Sequence, residues 1–173
     1  MGPASYDSAV DSFAQPSTMI GTKRLILEAS ATHSYMAKNK TDRNCTHLAG
    51  EFFVAAELYR RGYSVAMTLG NAKAIDLFAE REARTVNVQV KAIRDKKSVN
   101  WTITKRKIKD NIIYIFVCLN PAGTPPDYYV CTSQEARIMA KQFATRGIVN
   151  LNALKNDKYR DRWDKIESAL PRR

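Results

Sequence analysis

Residues 74–91 of this 173-residue chain contain two short runs of alternating residues, and this pattern restricts the possible folds more than any other. A period of two is typical of β-strands, whose side chains point to opposite faces in turn. Because residues 80–84 form the only turn-like segment between the runs, we predict an antiparallel β-hairpin. Pairing would bring Asp76 level with Val88 and Gln89. The polar face of the second strand would then carry a carboxamide and an ammonium group beside that carboxylate, from Gln89 and Lys91.

An acidic residue stands inside the apolar pattern of the preceding segment, residues 48–65. At about 100° per residue, an apolar helical stripe forms from Leu48, Phe52, Ala55, Leu58 and Tyr59. Glu51 falls within this stripe, so we expect it to face inward. A buried carboxylate needs a cation, a metal ion or hydrogen-bond donors. An ion pair with Lys91 would satisfy it, and a solvated strand face would explain the polar hairpin residues.

The order of these residues resembles the PD-(D/E)XK nuclease superfamily, in which an acid-bearing helix precedes strands carrying Asp and (Glu/Gln)-x-Lys. The corresponding residues here are Glu51, Asp76 and the run Gln89-Val90-Lys91, and the resemblance extends over about residues 48–143. It implies an α/β fold, with a restriction-endonuclease-like core made of a central mixed β-sheet flanked by helices.

The resemblance also implies roles in metal-assisted phosphodiester hydrolysis. Asp76 would anchor Mg²⁺ or Mn²⁺, Gln89 and the Val90 carbonyl would complete the protein ligands, and Glu51 would bind the metal or its waters. Lys91 would orient or deprotonate the attacking water. Gln89 stands where Asp or Glu is usual, and its neutral carboxamide should lower metal affinity.

The chain has 28 Lys and Arg residues against 17 Asp and Glu, a net charge of +11. This excess favours a polyanionic partner, whether nucleic acid, anionic membrane or acidic protein. We expect no membrane partner, because the longest apolar run, residues 112–119, falls far short of the roughly 20 residues of a spanning helix. DNA is the partner that the nuclease resemblance implies.

Candidate DNA contacts are concentrated in the most basic stretch, residues 94–110. Solvation of these charges is an equal explanation, and we expect Trp101 within the stretch to be buried. His47 is a further candidate for contact with the DNA backbone. The predicted nucleic-acid-binding residues are Lys73, Lys96, Lys97, Lys105, Arg106 and Lys107.

Two segments nearer the C-terminus predict helices. Thr132 and Glu135 predict a capping box for a helix with an inward face made of Ala136, Met139, Ala140 and Phe143. The tail carries apolar residues at helical intervals, which predict packing on its own domain or, as the alternative, self-association. These residues are Tyr159, Trp163, Ile166 and Leu170.

The length suggests one main domain. We assign residues 1–44 to a leader with a helical extension, and 45–173 to the nuclease-like domain with its C-terminal helix. Three cysteines without CxxC spacing predict reduced thiols and a cytoplasmic location.

The sequence therefore predicts a magnesium-dependent DNA endonuclease, for which a homodimer would suit cutting of both strands. One alternative is a nucleic-acid-binding module on the same fold with a weak or inactive site. Another is a regulatory protein whose basic surface binds an acidic protein, with Glu51, Asp76 and Lys91 as a buried ionic cluster.

Overall fold

A ten-residue strand, β3 (Arg84–Ile93), lies at the centre of a five-stranded sheet in the computed structural model, which describes residues 43–68, 75–97 and 99–171. The sheet has the order β1-β2-β3-β5-β6, with β1 (Ser64–Met67), β2 (Leu77–Arg81), β5 (Ile112–Cys118) and β6 (Asp127–Cys131). Only the β3–β5 pair is parallel, and the other pairs are antiparallel. The predicted α/β fold with a central mixed sheet is therefore confirmed.

The predicted hairpin is formed by β2 and β3, which pair with Leu77 opposite Val88. Its loop has only two residues, Glu82 and Ala83, and both have positive φ angles, 52° and 58°. The first strand begins at Leu77 and is shorter than predicted, so Asp76 lies immediately before it. That position frees the Asp76 side chain from the alternation of the strand.

Helix α1 (Arg43–Arg60) packs on the valine face of β3. The predicted stripe is wrong for Leu48, Phe52 and Tyr59, which are exposed, while the buried face consists of Gly50, Val54, Ala55 and Leu58. The cause is a close approach: a Cβ on Gly50 would lie 2.5 Å from the Cβ of Ala92. The helix thus contacts the sheet through its smallest residues, and its bulky residues lie on the outer side.

A second sheet has three strands in the order β4-β8-β7. It contributes residues to the part of the core on the face of the five-stranded sheet opposite α1. Its strands are β4 (Asn100–Thr102), β7 (Lys141–Gln142) and β8 (Gly147–Asn150), and a 3₁₀ turn spans Lys105–Lys107. Trp101 on β4 is 1% exposed, and its indole N–H donates to the Val117 carbonyl at 3.1 Å. Burial of this residue, as predicted, makes it unavailable for base stacking.

Helix α2 (Ser133–Met139) begins with the predicted capping box, since the Thr132 and Glu135 side chains each accept from the other's backbone N–H. Ala136 and Ala140 are buried. The prediction for Phe143 is wrong because the helix ends at Met139, and Phe143 follows β7 with 52% of its surface exposed.

The tail forms two short helices, α3 (Leu151–Leu154) and α4 (Asp164–Ala169), with irregular chain between them. Packing on its own domain is confirmed, because all four of its predicted apolar contacts are buried: Tyr159, Trp163, Ile166 and Leu170. All the described residues belong to one compact unit, Thr41–Arg173. None of the helices in the described ranges is both long and apolar enough to cross a membrane.

Candidate active site

The site is organised around the edge of β3 beyond Val88. Pairing between β2 and β3 stops at Leu77, the first residue of β2, which lies opposite Val88. In the described ranges, no other strand pairs with this edge of β3 beyond Val88. The Asp76 N–H donates to the Val88 carbonyl at 2.9 Å, and the Asp76 carbonyl accepts from the Thr68 N–H at 2.9 Å. The backbone of Asp76 is thereby fixed from both sides.

The Asp76 carboxylate forms a hydrogen bond with this edge of β3. Its Oδ2 accepts a hydrogen bond of 2.7 Å from the backbone N–H of Val90. Because the N–H and C=O of a strand residue leave the strand on the same side, the Val90 carbonyl oxygen is directed to this edge as well. A carboxylate oxygen and a backbone carbonyl oxygen therefore lie at the same edge of the strand.

Gln89 and Lys91 point to the opposite face from the valines. Strand register places them beside Tyr114 and Phe116 on β5, and both aromatic residues belong to the second part of the core. Gln89 and Lys91 are each partly buried. The amide and ammonium groups thus lie on one face of β3, and helix α1 packs on the other.

Glu51 on α1 is half-buried and lies within electrostatic range of this edge. Burial raises the pKa of its carboxyl group, the Asp76 carboxylate raises it further, and the Lys91 ammonium opposes both effects. Glu51 is therefore partly buried and lies within electrostatic range of Asp76 and Lys91, although the apolar stripe predicted around it was wrong. Two carboxylates that repel each other beside a carbonyl oxygen form a set that a divalent cation would stabilise.

The donor set fits a hard cation, but it is small. In ranges 43–68, 75–97 and 99–171, no three residues among His, Cys, Asp and Glu form a metal-binding group. The candidate ligands are two carboxylates, one carboxamide and one backbone carbonyl, and each of them would bind a cation through oxygen. Oxygen-only sets suit Mg²⁺ or Mn²⁺ better than zinc.

His47 lies one helical turn before Glu51 and is a neighbour that the sequence indicated only as a backbone contact. Although much of the side chain is exposed, desolvation lowers the pKa of its imidazole; Lys91 lowers the pKa further, and Asp76 partly opposes them. A neutral imidazole thus stands near the same charged groups. The i, i+4 spacing from Glu51 is the sequence signal from which His47 was named as a candidate contact.

The predicted DNA contacts have unequal surroundings, and Lys73 lies outside the described residues. Lys96 forms an ion pair of 3.1 Å with Asp127, which would compete with a phosphate contact. Lys97 is exposed in a turn. The three basic residues of the 3₁₀ turn, Lys105–Lys107, are also exposed.

This turn is tied to the candidate site through the chain that follows it. The Lys109 N–H donates to the Tyr114 hydroxyl at 2.9 Å, and Tyr114 is the register neighbour of Gln89. The proximity of Tyr114 to Gln89 could not be read from the sequence, because it depends on parallel pairing between β3 and β5.

No protein-family model and no curated protein matches the sequence. Among solved structures, the chain is similar to a bacterial homing endonuclease, I-Ssp6803I, with a TM-score of 0.54 and 16% identity, over 73% of this chain and 92% of that one. The core has the restriction-endonuclease-like fold. A Holliday junction resolvase, Hjc from the archaeal hyperthermophile Archaeoglobus fulgidus, also matches, with a TM-score of 0.44 and 10% identity over 62% of this chain and 86% of that one.

Proposed function

We propose that the chain is a divalent-metal-dependent endonuclease that hydrolyses DNA phosphodiester bonds. One observation carries this proposal: the Asp76 carboxylate accepts a hydrogen bond from the Val90 backbone at the edge of β3, within electrostatic range of Glu51. The restriction-endonuclease-like core supports the same conclusion.

Asp76, Gln89, the Val90 carbonyl and Glu51 would hold Mg²⁺ or Mn²⁺ directly or through waters. The bound ion would supply Lewis-acid stabilisation and a more acidic water. Lys91 orients the attacking water and offsets negative charge on the phosphorus centre. His47, as a neutral imidazole, can donate a hydrogen bond to a phosphate oxygen beside these residues.

The net charge of +11 favours a polyanionic substrate, and DNA is the polyanion that the proposed nuclease activity implies. A homodimer would place two such sites on one duplex and allow both strands to be cut. Free thiols at Cys45, Cys118 and Cys131 are compatible with a reducing compartment such as the cytoplasm.

The test is cleavage of supercoiled plasmid, linear duplex, branched DNA and single-stranded DNA by the full chain, with Mg²⁺, Mn²⁺ or EDTA. Asp76→Ala and Lys91→Ala should each lose at least about 100-fold in rate. Glu57→Ala is the matched control for Glu51→Ala, because Glu57 lies on the same helix but pairs with Arg60 and Arg61. Metal-dependent cutting that survives in Asp76→Ala would refute the proposed site.

A second candidate function is a nucleic-acid-binding module whose site no longer hydrolyses DNA. The neutral side chain at Gln89 favours it, because it leaves the site one anionic ligand short of the usual pattern. Gln89→Glu separates the two: with a ligand at this position, the added charge should tighten Mg²⁺ binding, measured by calorimetry. Unchanged metal affinity, together with DNA binding but no cleavage by either protein, would favour the module.

A further inference from the structure

An open groove of about 660 Å³ lies between the 3₁₀ turn and the β7–β8 hairpin. Lys105–Lys107 line one side, and the other is formed by the hairpin turn that contains Phe143. The two sides are held together, since the Gln142 carboxamide oxygen accepts from the Lys105 N–H at 3.2 Å. At the base of the hairpin, a Cβ on Gly147 would lie 2.2 Å from the Ile103 carbonyl oxygen, which shows how closely the two segments pack.

The rim of this groove is strongly positive. Lys105, Arg106 and Lys107 are exposed on one side, and Lys141 and Arg146 are exposed on the hairpin. Across the described ranges, no acidic side chain forms an ion pair with any of these five. A sixth cation, Arg137, lines the groove and pairs with Asp110 at 2.9 Å. The other five, which have no such pair, favour a polyanion, and the phosphates of a nucleic acid provide one.

Phe143 places an aromatic ring within this charged surface. Its side chain is about half exposed, but its backbone is fixed: its N–H donates to the Arg146 carbonyl at 2.7 Å, and its carbonyl accepts from the Gln142 amide at 2.7 Å. A ring held on a rigid turn loses little entropy when it stacks on another ring. Cations that contact phosphates beside an aromatic ring that stacks on a base are the combination used to bind single strands.

We propose that the groove binds an unpaired segment of DNA, with a base stacked on Phe143 and the neighbouring phosphates on Lys105, Arg106, Lys107 and Arg146. The choice of DNA rests on the proposed nuclease function. Through the Lys109–Tyr114 contact, the groove is connected to the strand position beside Gln89. The groove then favours DNA with unpaired nucleotides, such as a flap or a branch, over a continuous duplex.

Fluorescence anisotropy with labelled single-stranded DNA, and with a duplex of the same sequence, tests the groove in EDTA, where no cleavage is needed. Phe143→Ala should weaken binding of single-stranded DNA about 5-fold or more and have little effect on binding of the duplex. Phe143→Tyr, which keeps an aromatic ring, should bind single-stranded DNA as the wild type does. Phe52→Ala is the matched control, because Phe52 is 57% exposed on α1 and outside the groove. Equal melting temperatures would show that these variants remain folded.

A combined Lys105→Gln, Arg106→Gln and Lys107→Gln variant tests the phosphate contacts. It should lower the slope of log affinity against log salt by about 2 for single-stranded DNA, as expected for three lost contacts. Single-strand affinity that is unchanged in both Phe143→Ala and the triple variant would overturn the proposal, whether or not the protein cuts DNA. Conversely, loss of binding in these variants of a protein that never cleaves would support the groove and reject the nuclease.

Discussion

Replacement of Gly50 by alanine should disturb the candidate site without changing any of its side chains. The new Cβ would lie 2.5 Å from the Ala92 Cβ, whereas carbon atoms pack at about 3.5–4.0 Å. Helix α1 must therefore move away from β3 by about 1 Å. Overpacking of this kind costs about 1–3 kcal/mol, and the better helix propensity of alanine returns about 1 kcal/mol, so the free energy of unfolding should fall by up to about 2 kcal/mol.

The larger effect should be on cleavage, because Glu51 is the next residue and moves with the helix. A displacement of about 1 Å can cost on the order of 100-fold in rate. Urea unfolding and metal-dependent plasmid cleavage measure the two effects. Ala92→Gly removes the opposing methyl group, so the double variant should regain both stability and activity. Wild-type cleavage and stability in Gly50→Ala alone would refute the reasoning.

Two further predictions concern stability. Lys165 and the backbone N–H of Thr132 both donate hydrogen bonds to Glu135. Burial alone would raise the pKa of the Glu135 carboxyl group. The Lys165 hydrogen bond and then the Thr132 bond outweigh burial and lower that pKa. The stabilisation is therefore present above the unfolded pKa and is lost as pH falls through the folded one. Glu135→Gln should cost about 1 kcal/mol at pH 7, and this cost should shrink as the pH falls below the unfolded pKa of about 4.3 and through the lower folded pKa. A difference in urea unfolding that stays constant as the pH falls would contradict the assignment. Ala83→Gly should relieve the backbone strain of the positive φ of 58° and raise the melting temperature by about 2 °C. A lower melting temperature in calorimetry would show that Ala83 is not strained.

Local patterns were enough to predict the hairpin and the capping box. Alternation in residues 86–91 and the spacing of Thr132 and Glu135 each depend on near neighbours in the chain. The failures came where bulk was taken as a sign of burial. Phe52 is exposed because Gly50 brings the helix close to β3, and Phe143 is exposed because the chain leaves the helix at Met139.

The sequence by itself determined which chemical groups are available, since the order of Glu51, Asp76, Gln89 and Lys91 already indicated a metal-assisted hydrolase. Only the tertiary structure decided how they meet. Strand β2 begins one residue after Asp76, so the Asp76 carboxylate reaches the backbone N–H of Val90 at the edge of β3. It also placed Phe143 opposite the 3₁₀ turn, because that approach depends on pairing between strands distant in sequence. Such long-range pairing follows from the packing of the whole core, which no local pattern encodes.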